Sequence, residues 1–133
     1  MKRLTLLLML SGLVAWSVCG GPHAHSQNQE PPKKSLSAFM RVKLTDAQEV
    51  LEGLALSDFD KIAKHSQKMS LMSLESTWKT IQTPEYVKHS VDFREAVNRL
   101  TAAARKKNLD GATLAYMEMS LRCVHCHKYV RGL

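Results

Sequence analysis

Strand-like alternation of apolar and polar residues is missing along the whole chain of 133 residues, which excludes a β-rich domain. No Lys/Arg-rich run carries interleaved aromatics, so the electrostatic footprint of nucleic-acid binding is absent too. No apolar run is long enough to read comfortably as a membrane span; the longest, Leu4 to Val18, has signal-peptide length. Cysteine is scarce, at three, and only one C-x-x-C pair exists, so the paired clusters of a structural zinc site are excluded. A thioredoxin-type C-x-x-C needs the start of a helix in a βαβ setting, and no such setting is available here. The length suggests a single small domain.

What the chain does hold is Cys123-Val124-His125-Cys126-His127 near its carboxyl end. This C-x-x-C-H spacing is the attachment signature of c-type haem. Two thiols each add across a haem vinyl group, and the adjacent imidazole ligates the iron. On a helix, positions i, i+3 and i+4 share a face, so Cys123, Cys126 and His127 address one porphyrin together. His125 is rotated off that face and is assigned no role. One covalent haem c per chain is the expected cofactor, with His127 as a metal ligand.

The amino end supplies the compartment. Met1-Lys2-Arg3 followed by the apolar run, with Gly20 and Gly21 beyond it, predicts a signal peptide over residues 1–20. Export to the periplasm follows, and in bacteria covalent haem attachment takes place outside the cytoplasmic membrane. Cys19 offers a competing reading as a lipid-anchored residue, although Val18 and Trp16 depart from the small and aliphatic residues such signals prefer. Ordinary cleavage leaves Cys123 and Cys126 as the only cysteines. The net charge is +7, and +5 once Lys2 and Arg3 are set aside. This mild basicity biases the protein towards acidic redox partners and allows association with anionic membrane surfaces.

Residues 21–34 are polar, with Pro22, Pro31 and Pro32 and no apolar pattern, and are expected to form a disordered linker in which His23 and His25 have no assigned role. Residues 35–133 form the expected domain, read as four helices. The first spans about Leu36 to Leu56, with Met40, Leu44, Ala47, Leu51 and Leu54 in one stripe. Ser57-Asp58-Phe59-Asp60 reads as a capping box for the second, which turns Phe59, Ile62, Met69 and Met72 inward and continues to about Ile81. Thr83-Pro84-Glu85 starts the third, reaching about Lys107 with Phe93, Val97, Leu100 and Ala104 inward. Asp110 is the expected cap of the fourth, which presents Leu114, Met117, Leu121 and Val124 and ends in the cysteine motif. Short links between long helices predict an all-α fold, an antiparallel up-down-up-down four-helix bundle with haem on the last helix. A domain this small has a limited core, so the haem-free chain is expected to be loosely packed.

A four-helix chain with its haem motif in the final helix resembles the class II c-type cytochromes, the cytochrome c-prime family, from about Leu36 to Arg131. The most specific stretch runs from Cys123 to Arg131, because family members often carry an Arg four residues after the ligating His. That position is Arg131, expected near the haem edge and a propionate; offsetting the helix dipole is its bland alternative. The family divides by its sixth iron ligand. A Met from the first helix gives a low-spin electron carrier, whereas an apolar residue leaves five-coordinate iron that binds nitric oxide or carbon monoxide. Met40 matches the ligating position, against the alternative that it is core filler. Met69, Met72, Met117 and Met119 are read as packing or exposed residues, His65 and His89 as solvent-facing, Phe39 and Leu44 as haem-packing, and Tyr116 and Tyr129 as flanking the haem segment. The resemblance implies an exported monohaem electron carrier, with the five-coordinate gas binder as the alternative and a haem-free helical module as a third reading. The protein is not expected to be an enzyme, because haem performs the redox step and the bundle tunes it. Relatives dimerise through their first two helices; the polar surface leaves a homodimer open here.

Overall fold

The computed structural model describes residues 33–132, with side chains from Leu36 onward. The expected signal peptide, the linker as far as residue 32, Cys19, His23 and His25 lie outside the described residues; Lys33 and Lys34, expected in the disordered linker, instead form the first residues of α1. Within them the chain is all-helical: α1 (Lys33–Leu56), α2 (Phe59–Met72), α3 (Pro84–Arg105) and α4 (Leu109–Arg131), with no strand among the described residues. This is compatible with a four-helix bundle.

The α1–α2 corner is built on a close approach. Ser57 has a positive φ of 56°, and the Asp58 N–H folds back to donate to the Gly53 carbonyl at 2.8 Å. A Cβ on Gly53 would stand 2.9 Å from Ile62 Cγ1, so glycine is needed for the two helices to meet. Asp58, not Ser57, caps α2, accepting from the Lys61 N–H at 2.9 Å. The left-handed turn at Ser57 moves the cap one residue onward.

α2 also stops earlier than expected, at Met72 rather than near Ile81. Successive turns carry the chain inward until Trp78 is only 2% exposed. Its indole N–H donates to Ser90 Oγ at 2.9 Å, the Tyr86 hydroxyl donates to its carbonyl, and its ring stacks on Phe93 at 5.5 Å. Burying an indole removes on the order of 200 Å² from water. That gain outweighs the few helical hydrogen bonds that continuing α2 would add.

Thr83 caps α3 with Pro84 in its first turn, as the sequence predicts. In α4 the cap is Asn108, whose Oδ1 accepts from the Gly111 N–H at 2.9 Å. Asp110 sits inside the first turn instead, where its charge faces the positive helix end.

The core draws on α1 through Val50 and Leu54, on α2 through Ile62 and Met69, and on α3 through Phe93, Ala96, Val97, Leu100 and Ala104. α4 contributes Ala112, Ala115 and Met119. The sequence stripe through Leu114, Met117, Leu121 and Val124 is exposed, as are Leu44 and Leu51 of α1. Alanines let α3 and α4 approach closely where leucines would hold them apart, so the smaller apolar stripe faces the core. Of the methionines, Met69, Met72 and Met119 are buried and Met117 is exposed.

Polar ties join successive helices. Asp46 of α1 is 1% exposed, and its Oδ1 accepts from His65 Nδ1 at 2.8 Å and Lys68 Nζ at 2.9 Å of α2. Lys61 pairs with Glu49 and Glu52. Ser66 and Thr101 share a buried 2.7 Å hydroxyl contact, and Ser70 donates to Asn98 at 2.8 Å. Arg99 and Arg122 both bind Glu118, and Arg122 reaches Asp92 at 3.4 Å. Among the described residues no hydrogen bond or ion pair joins α1 to α4, and these helices touch over far fewer residues than sequential neighbours do. The bundle is open along that seam.

Candidate functional site

The seam widens into a cleft that, counted together with the solvent at its open mouth, spans about 580 Å³. α1 lines it with Leu36, Met40 and Lys43, and the inward loop with Trp78, Thr80 and Ile81. α3 adds Tyr86 and Phe93, and α4 adds Arg122, Cys123, Cys126, His127 and Val130. An adjoining recess is lined by Met40, Lys43, Leu44, Ala47, Met69, Cys123 and His127. Met40, Lys43, Cys123 and His127 therefore border both spaces.

Four of the sequence-predicted residues thus share one cleft: Cys123, Cys126, His127 and Met40. Helix phase explains the first three, because Cys123 continues the core stripe of Ala112, Ala115 and Met119 towards the open end. Arg131 is exposed and does not line the cleft. His125 lies on a separate surface with Lys128, Tyr129 and Gly132. Tyr129 turns away from the cleft, its hydroxyl 2.7 Å from Thr83 Oγ1 and its ring 5.4 Å from that of His89. Tyr116 packs against the core. His65, expected to face solvent, is instead largely buried against Asp46, whose carboxylate outweighs contact with water.

Five lining residues escaped the sequence reading: Lys43, Trp78, Thr80, Tyr86 and Arg122. Lys43 lies seven residues before Val50, two turns along one face, and that spacing was the available signal. Trp78 and Tyr86 were hidden by the assumption that α2 runs on. Lys43 is only 8% exposed. Its Nζ stands 3.5 Å from the Phe93 ring centroid and 3.9 Å from that of Trp78, a cation–π cradle.

The electrostatics follow from burial. Desolvation lowers the Lys43 pKa to about 8, against an opposing pull from Cys123 and Cys126. Burial pushes both thiols up, with Lys43 acting the other way. Burial lowers His127, and the positive charges of Lys43 and Arg131 lower it further. Both effects disfavour the protonated imidazole, whose lone pair is what a metal would take. Among the described residues no group of three or more His, Cys, Asp or Glu converges as a cage for a bare metal ion. The arrangement instead places two thiols one helical turn apart and an adjacent imidazole along one largely apolar cleft.

Compared with family models, curated proteins and solved structures, the chain has no match.

Proposed function

We propose that this protein is an exported monohaem c-type cytochrome of the class II, cytochrome c-prime kind, carrying single electrons. The observation that carries this reading is the convergence of Cys123, Cys126 and His127 on one wall of an apolar cleft, with α1 side chains across from them. The donor set fits haem c. Cys123 and Cys126 are one turn apart and would form the two thioether bonds, and His127 would ligate the iron. Leu36, Ile81, Phe93 and Val130 would supply apolar walls against a porphyrin. Bound there, haem would supply a one-electron couple, and these residues would orient it and tune its potential through ligation and burial. The distal position falls to α1, where Met40 is the sequence expectation.

An antiparallel up-down-up-down arrangement is part of this reading. Its support is the order of the interhelical ties: partners recede along one helix as they advance along the next, from Ser66–Thr101 to Ser70–Asn98 and from Arg99–Glu118 to Asp92–Arg122. The periplasmic location rests on residues 1–20. Lys128 and Arg131 in the last turn of α4 suit acidic redox partners or an anionic membrane surface.

Visible spectroscopy tests the function. Reversible one-electron reduction with low-spin bands is expected. A high-spin spectrum that shifts on adding carbon monoxide would favour the five-coordinate gas binder, and a colourless protein would remove both.

A further inference from the structure

Met40 is not the α1 side chain that points most directly into the cleft. Lys43, three residues on, is rotated about 60° towards the core at 100° per residue. It is buried, Met40 is half-buried, and the next residue, Leu44, is exposed. Lys43 borders both spaces beside Cys123 and His127. Its nitrogen has no carboxylate partner among the described residues. The buried carboxylate of α1, Asp46, pairs through Oδ1 with His65 and Lys68, not with Lys43.

Burying an ammonium against aromatic faces without a counter-ion is costly. A surface lysine of this length could extend to water, yet this one folds inward onto Phe93 and Trp78. A primary amine is, however, a good nitrogen donor to iron once its proton has left for solvent, and its four-carbon stem gives it reach. Resting on the haem reading above, we infer that Lys43, rather than Met40, is the distal iron ligand, opposite His127. Coordination forms one nitrogen–iron bond and releases one proton from the Lys43 ammonium.

The test uses the full chain produced with covalent-haem maturation machinery. A product without covalent haem overturns the cytochrome reading and this inference together. In the haem-loaded protein, near-infrared magnetic circular dichroism of the oxidised state separates amine from thioether ligation without any variant. Low-spin iron lacking the sulfur-to-iron charge-transfer band is expected. Lys43→Ala is expected to lose the low-spin bands, and Met40→Leu to keep them. A sulfur-to-iron band, high-spin iron in the unaltered protein, or low-spin bands that survive in Lys43→Ala would each overturn the inference while leaving covalent haem intact.

Discussion

Lys43 shows at the scale of one residue how a cleft is tuned. Its folded pKa of about 8 lies below the ordinary 10.5, so between those values the unfolded chain holds a proton that the folded chain has released. Stability of the haem-free chain therefore gains from this group as pH rises through that window. Lys43→Met removes the term. The variant is expected to be more stable than its parent below pH 8, by about 3 kcal/mol at one pKa unit per 1.36 kcal/mol, with the gap closing by pH 10.5. Urea unfolding at a series of pH values measures it, and a gap that ignores pH would refute it. Trp78 gives a second handle. The chain has two tryptophans, Trp16 and Trp78, so removal of residues 1–20 leaves one, and it lines the cleft. Its fluorescence is expected to be strongly quenched in the haem-loaded protein and to recover in the Cys123→Ala, Cys126→Ala chain. That Cys123, Cys126 and His127 share one cleft was legible in the sequence, because positions i, i+3 and i+4 lie on one helix face. Lys43 was not, because a lysine on a helix ordinarily marks the solvent face.

At the scale of the helix, punctuation was easier to read than facing. Thr83 and Pro84 announce α3 through local hydrogen bonding alone, which is why that start was legible. α4 offered two apolar stripes, and propensity is silent on which one packs; the choice depends on how closely α3 can approach. The end of α2 was hidden because Trp78 is drawn inward by Phe93 and Tyr86, partners distant in sequence. Gly53 offers a test of the α1–α2 corner. Alanine favours helix by up to about 1 kcal/mol over glycine, yet a Cβ here would press on Ile62 Cγ1 at 2.9 Å and the Asp58 carbonyl at 3.2 Å. Gly53→Ala is expected to destabilise by about 1–3 kcal/mol, the usual cost of overpacking. Thermal unfolding checks the sign, and a gain in stability would contradict the close packing of this corner.

Over the whole molecule, the chain of contacts α1–α2–α3–α4 is strong in its links and weak at its closure. The seam between α1 and α4 holds the cleft, and a ligand covalently fixed to α4 and held by α1 would close the ring. Amide exchange in α1 is accordingly expected to slow when haem is bound, with less change in α3, which sits between two well-packed neighbours. The Cys123→Ala, Cys126→Ala chain is expected to melt at a lower temperature than the haem-loaded protein; full native helicity and an undiminished melting temperature would show the core to be self-sufficient. The helical class was legible from periodicity, whereas the open seam was not, because closure depends on contacts between the two ends of the domain. The most direct measurement is the intact mass of the full chain produced with covalent-haem maturation machinery, taken with haem extraction by acidified organic solvent. The expected result is one haem per chain that stays with the protein on extraction and is lost in the Cys123→Ala, Cys126→Ala variant. A mass equal to the polypeptide alone, or haem that extracts completely, would contradict covalent attachment at Cys123 and Cys126.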